Sequence, residues 1–226
     1  MEINEENCNG GETVGFFPSL PSFMSLKSHR SLKSRCPWSL AHPLLTAYHD
    51  TEWGVPVHDD RVLFEFLILE GAQAGLSWLT ILKRRDGYRD AFAGFDPEAI
   101  ARFGPRQVRS LMGNPGVIRN RLKIEGAVRN AKAFLALRDE HGGVAPYLWG
   151  FVEGRPIVNR PGRADPIAAT SPQSEAMSKA LKKRGFTFVG STICYAFMQA
   201  TGMVNDHVRG CFRAAPKARK ARSRLR

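Results

Sequence analysis

Four residues in two tight groups at opposite ends of the chain have the types and spacing of metal ligands. Cys36 and His49 form one group, and His207-x₃-Cys211 forms the other. Two thiolates and two imidazoles complete a tetrahedral shell for zinc and leave no position for water, so an ion held this way is structural rather than catalytic. The interval from Cys36 to His49 is too wide for a finger knuckle, so a fold must bring the ligands together. The spacing alone fits equally well with two buried cysteines and ordinary surface histidines.

A second constellation is aromatic and acidic: Trp38, Tyr48, Trp53, Glu70 and Trp78. Flat rings stack on a base taken out of a duplex, and a carboxylate accepts protons from an exocyclic amine. Glu70 closes an apolar segment between Leu69 and Gly71-Ala72, where a charge is costly to desolvate. A helix-end carboxylate among core aromatics would leave the same pattern. A third candidate is the Gly113-Asn114-Pro115-Gly116 breaker between two helical segments. Such a hairpin turns backbone N–H groups outward, where they can hold a DNA phosphate without reading sequence. Arg119 and Arg121 follow at the expected start of the second helix, although αα-hairpins with glycine turns are also ordinary packing units.

The elements that must position these residues are helical almost throughout. Asp59-Asp60 caps a helix through Val62 to Leu69, and Ser77 opens another with Trp78, Leu79, Ile81 and Leu82. Asp96-Pro97 starts a short helix to Phe103. Pro105–Met112 is the next, and a long helix runs from Ile118 through Leu135. Residues 154–171 are rich in proline and glycine and read as a loop. Ser171-Pro172 caps a helix ending in Lys182-Lys183-Arg184-Gly185, and a last apolar helix spans Ser191 to Gln199. Strand alternation is nearly absent, so the expected fold is all-α with seven to nine helices.

Composition narrows the class. The chain has 226 residues, enough for one core without disulfides, and its four cysteines (8, 36, 194, 211) are too scattered for a disulfide framework. That usage implies a reducing, cytoplasmic setting. The early Glu2, Glu5, Glu6 and Glu12 are unlike a secretory or mitochondrial leader. No apolar run reaches a membrane-spanning length of about 18 residues. Net charge is +12. Residues 213–226 carry seven basic residues and no acid, 1–35 balance to zero, and 36–212 hold the remaining +5. This reads as a flexible extension (1–35), a moderately basic folded domain (36–212) and a basic tail (213–226), a distribution that favours phosphate backbones.

Long motifs then resemble one family. They are Tyr48-His-Asp-x-Glu-Trp-Gly-Val-Pro56, Leu69-Glu-Gly-x-Gln-Ala-Gly-Leu-Ser-Trp78, Ser178-Lys-Ala-Leu-Lys-Lys-Arg-Gly-Phe186, Phe188-Val-Gly-x-Thr-Ile-Cys-Tyr195 and Val204-Asn-Asp-His-Val208. Together they resemble DNA-3-methyladenine glycosylase I of the helix–hairpin–helix superfamily, from Cys36 to Cys211. The hairpin departs from the superfamily's G-x-G pattern, with Ile118 in place of the second glycine.

The resemblance implies one structural zinc per chain on Cys36, His49, His207 and Cys211. It implies a base pocket of Glu70, Tyr48, Trp78 and Trp38, with Glu70 reading the adenine edge and Tyr48 orienting and stacking, both counted as catalytic. Leu76 would fill the gap left by the flipped nucleotide, and Gly113, Gly116, Arg119 and Arg121 would contact DNA. Asp139, the nearest match to an aspartate used by related glycosylases, is left out because the family lacks that residue. No lysine stands out as a Schiff-base nucleophile. The implied activity is hydrolysis of 3-methyladenine from double-stranded alkylated DNA by a bacterial-type, nucleoid-associated monomer. The competing class is a zinc-stabilised DNA-binding module without activity. A catalytic zinc hydrolase or deaminase is disfavoured by the closed ligand shell.

Overall fold

The computed structural model describes residues 33–214. The expected extension and basic tail lie outside them, apart from Lys33–Arg35 and Arg213-Ala214. The described residues belong to one unit. They form ten α-helices, three short 3₁₀ turns and one pair of two-residue strands. The all-α expectation therefore holds.

Helix α2 (Asp60–Gln73) is the central element. The Asp59 side chain caps its Val62 N–H, and Leu63, Phe64 and Phe66 to Ala72 are all buried. A helix apolar all round must sit inside the domain rather than on its surface. Helices α7 (Arg121–His141) and α10 (Ser191–Ala200) pack against it, and α9 (Pro172–Lys183) packs on α10. The Phe64 and Phe134 rings meet at 4.8 Å and join α2 to α7. Removing either buried ring would cost about 3–5 kcal/mol.

Caps explain where most elements begin. Asp96 accepts from the Glu98 and Ala99 N–H groups to start α5 (Pro97–Ala101), and Ser171 caps α9 through Ser174. Ser77 caps α3 (Trp78–Leu82) through Thr80. Helix α6 (Pro105–Gly113) ends at the glycine breaker. Gly142, with φ of 69°, closes α7 in the left-handed conformation that glycine adopts freely.

Three helices were not anticipated: α1 (Pro43–Thr51), α4 (Arg85–Ala91) and α8 (Val144–Trp149). The long helix also starts later than expected, at Arg121, because Asn120 caps it through Lys123 N–H and the Ile118 N–H is drawn to Tyr88 Oη at 3.2 Å. Within the 154–171 loop, Ile157-Val158 pairs in parallel with Val204-Asn205. Among the described residues no helix is long and apolar enough to cross a membrane.

Candidate active site and metal centre

Helix α1 supplies one side of the site. His49 and Tyr48 are buried neighbours on it, and the turn before it carries Cys36 and Trp38. The segment from Asn205 to Cys211 brings His207 and Cys211 to the same point. All four ligand residues are buried, and their donor atoms lie within 4.8 Å of one another. Cys36 Sγ is 3.6 Å from His207 Nδ1, and Cys211 Sγ is 3.3 Å from His49 Nε2 and 3.5 Å from His207 Nδ1. A tetrahedron with ordinary zinc–sulfur and zinc–nitrogen bonds has S···N edges of about 3.6 Å, so the donor set fits such an ion.

The surroundings are those of a ligand set already oriented. His49 Nδ1 meets Asp50 Oδ1 at 2.8 Å, and Arg35 holds Asp50 at 2.7 Å. The Arg35 hydrogen bond keeps the Asp50 carboxyl at about 2. His207 Nε2 meets the Trp53 carbonyl at 3.0 Å. Each histidine thus has its outer nitrogen committed and its inner nitrogen facing the cluster. Backbone N–H groups of Val208 and Arg213 donate to Cys36 Sγ and Cys211 Sγ, both at 3.4 Å. Burial holds the His207 imidazole at about 4, which leaves it neutral as a ligand must be. Gly54 makes the close approach possible. A Cβ there would lie 2.9 Å from His207 Nε2, and its φ of 75° already favours glycine.

The base-pocket candidates meet on the other side of α1. Trp38, Tyr48, Glu70 and Trp78 line one cavity of about 210 Å³. The Tyr48 and Trp78 rings are 5.3 Å apart, and Trp38 packs edge-on against Trp53 at 5.0 Å. Glu70 is only 4% exposed and makes no hydrogen bond or ion pair with any described residue. Burial alone pushes its carboxyl up to about 8. The Tyr48 phenol is raised well above its usual range, first by burial and then by the Glu70 carboxylate. The Trp78 indole N–H is also buried without a partner. An acid left unsatisfied in an aromatic cavity is costly unless a polar guest completes it.

The chain matches the family model for methyladenine glycosylase over residues 38–214. It belongs to the methyladenine glycosylase family. It is 49% identical over 177 residues to the DNA-3-methyladenine glycosylase 1 of Escherichia coli (strain K12), covering 78% of this chain and 95% of that protein. A crystal structure of a 3-methyladenine DNA glycosylase I superposes with a TM-score of 0.78 at 50% identity, over 80% of this chain and all of that one. A tyrosine-to-phenylalanine variant of such an enzyme, solved in complex with 3-methyladenine, gives a TM-score of 0.78 at 32% identity, over 80% of this chain and 98% of that one.

Among the family's implied residues, Leu76 stands apart from the aromatic cavity. It is 39% exposed and lines an adjoining space of about 170 Å³ that shares Glu70 and Gln73. The hairpin residues lie elsewhere again. Gly113 ends α6 and is exposed, whereas the Gly116 N–H is donated to Asn114 Oδ1 at 2.8 Å. A Cβ on Gly87 would reach within 2.6 Å of the Gly116 carbonyl oxygen, so helix α4 packs directly under the turn. Arg119 is exposed in the loop rather than at the helix start, and Arg121 opens α7 with a 3.4 Å contact to Glu125. Asp139 is 73% exposed on α7 and pairs with Arg138.

Leu45, Gln73 and Gln199 also line the cavity, and nothing in the sequence marks them. They lie on three different helices and carry no shared local pattern. A tie between α7 and the end of α2 is likewise unmarked in the sequence. Lys123 Nζ donates to the Ala72 and Ala74 carbonyls at 2.8 and 2.6 Å, capping the C-terminal end of α2.

Proposed function

We propose that this protein is a monomeric, monofunctional glycosylase that hydrolyses the N-glycosidic bond of 3-methyladenine in double-stranded alkylated DNA. The observation that carries this reading is Glu70, a buried carboxyl without a partner among the described residues, in the wall of a cavity lined by Trp38, Tyr48 and Trp78. Family membership supports it. The cationic base, flipped out of the duplex, stacks on these rings, and ionised Glu70 accepts from its exocyclic amine and offsets its positive charge. An N3-methylated adenine leaves deoxyribose readily because it departs as a neutral base. The pocket therefore needs to favour the oxocarbenium-like state and admit water, without a strong general acid.

No covalent nucleophile is required. The Lys123 ammonium is committed to two carbonyls, which supports reading the reaction as simple hydrolysis without strand cleavage. Leu76, exposed on the turn beyond α2, fills the space vacated by the base. The segment α6–turn–α7 serves as the helix–hairpin–helix element, with Gly113, Gly116, Arg119 and Arg121 holding phosphates. Cys36, His49, His207 and Cys211 would hold one structural zinc, whose contribution is to fix the α1 wall of the pocket. The chain's similarity to bacterial DNA-repair glycosylases supports a cytoplasmic, nucleoid-associated location.

The test is release of 3-methyladenine from alkylated DNA by wild type and by Glu70→Gln. The variant is expected to lose about 10–100-fold in kcat/KM, the scale of one charge-assisted hydrogen bond. Undiminished release by a folded variant would overturn the reading.

A further inference from the structure

Gln199 lies on α10, is 9% exposed and lines the same cavity as Glu70. Its Nε2 donates to Asp206 Oδ2 at 2.7 Å. That carboxylate is itself 3% exposed and is fixed by two further donors, Tyr195 Oη at 2.8 Å and Asn159 Nδ2 at 2.7 Å. A carboxylate surrounded in this way only accepts, so the Gln199 amide has one permitted orientation, with the NH₂ toward Asp206 and the carbonyl oxygen away from it. Turning the amide over would set its oxygen against the buried carboxylate. The oxygen itself receives no hydrogen bond from any described residue. Two residues that line the cavity, Glu70 and Gln199, thus carry acceptors that no described residue satisfies, and the second cannot convert to a donor.

We propose that Gln199, locked by Asp206, is a specificity-determining residue that accepts a hydrogen bond from the 6-amino group of the bound base and selects 6-amino over 6-oxo purines. This rests on the base-pocket reading above. The chemistry is asymmetric. A 6-amino group has two protons, enough for both Glu70 and Gln199. A 6-oxo group presents lone pairs to two acceptors and leaves all of them unpaired, which is the arrangement that discriminates most strongly between close analogues. Asp206 is a positioning residue for Gln199 and does not itself meet the base.

The experiment measures binding of free 3-methyladenine and of 3-methylpurine, which lacks the amine, by quenching of tryptophan fluorescence in the full chain. Gln199→Met is expected to weaken 3-methyladenine about tenfold, the scale of one neutral hydrogen bond, while leaving 3-methylpurine within about twofold. The same variant should narrow the ratio of 3-methyladenine to 3-methylguanine released from alkylated DNA. Equal weakening of both ligands, or none, overturns the assignment and leaves Gln199 as a brace between α10 and the 204–207 segment. If wild type binds neither ligand, the base-pocket reading itself has failed, and Glu70→Gln reports on that independently. Should Gln199→Met not fold, the carbonyl ¹³C shift of Gln199 in labelled wild type decides. It should move with 3-methyladenine and stay put with 3-methylpurine, and identical shifts count against the proposal.

Discussion

Tyr48 and His49 are adjacent on α1 and serve opposite sides of it: Tyr48 lines the aromatic cavity, while His49 Nε2 lies 3.3 Å from Cys211 Sγ. One turn of helix is therefore shared by the candidate metal centre and the base pocket. Trp53 makes the same connection from the loop after α1, lining the cavity and meeting the His207 ring edge-on at 4.6 Å. Loss of an ion at this point would loosen Tyr48, Trp38 and Trp53 together.

That coupling sets the order of events in Cys211→Ala. Zinc, measured by metal analysis of the purified chain, should be lost first. A stability loss of at least about 3 kcal/mol should accompany it, seen as a fall in melting temperature of about 6–12 °C for a domain of this size. Base release should decline in step with the folded fraction. A variant without zinc that keeps wild-type melting and activity would sever the link between metal centre and pocket wall.

Asp50 offers a milder version. It orients His49 through Nδ1 and is anchored by Arg35. Asp50→Asn keeps the shape but weakens the charge behind the ligand, and such partners are worth about 10–100-fold in metal affinity. Competition with a chromophoric chelator should show a loss in that range, with full occupancy recovered at high zinc.

How much of this was written in the sequence depended on whether a residue acts locally or across the fold. Asp59, Asp96 and Ser171 cap helices within three residues of themselves, and their roles are readable from the neighbouring sequence alone. Asp60, beside one of them, accepts from the Val144 and Ala145 N–H groups and starts α8, a contact that no local pattern announces. Helix α1 was hidden because its cap is the His42 side chain, an unusual acceptor for that position. Cys36, His49, His207 and Cys211 were visible as candidate ligands by type, but their spacing fitted a metal-free reading equally well, and only the fold shows the four donor atoms within 4.8 Å of one another. Gln199 was not, since an amide on an apolar helix gains meaning only once Asp206 is seen beside it.

Glu70 predicts a pH dependence of defined sign. Its folded value of about 8 lies above the ordinary carboxyl range, so the folded protein binds this proton more tightly than the unfolded chain. The associated stability is complete below about pH 4 and is lost as the pH rises through about 8, by at most about 5 kcal/mol. Glu70→Gln, which has no such proton, should gain on wild type across that window in denaturant titrations. Binding of a cationic base runs the other way. It requires ionised Glu70, so affinity should climb up to about tenfold per pH unit and level off above pH 8. A flat profile in wild type would contradict a buried carboxyl receiving a cation.

Leu76 should separate binding of the base from its extraction. Its side chain is exposed and outside the aromatic cavity, so Leu76→Ala leaves free 3-methyladenine binding within about twofold while slowing release from duplex DNA. Unstacking a base costs a few kcal/mol, and a side chain that fills the gap recovers part of it, so a loss of about 10–100-fold in single-turnover rate is expected. The deficit should shrink when the lesion sits opposite a mismatch, where less pairing must be broken. Equal loss on free base and on DNA would instead place Leu76 in the pocket.

Arg119 and Arg121 make the sharpest statement about the hairpin, because both are exposed and neither is needed for the core. If each neutralises one phosphate, changing both to alanine weakens binding to all duplexes alike, damaged or not. Each lost phosphate contact lowers the slope of log affinity against log salt by about 0.9, so the double variant should be less salt-sensitive by about 1.8. The Arg121 contact with Glu125 is exposed and contributes little, so melting temperature should barely move. Lys123 supplies the contrast on the same helix. Its ammonium spans from α7 to the end of α2, so Lys123→Met should leave the salt slope unchanged and lower the single-turnover rate by loosening the turn that carries Leu76. A lowered slope in Lys123→Met, or an unchanged one in the double arginine variant, would show that the phosphates are held elsewhere.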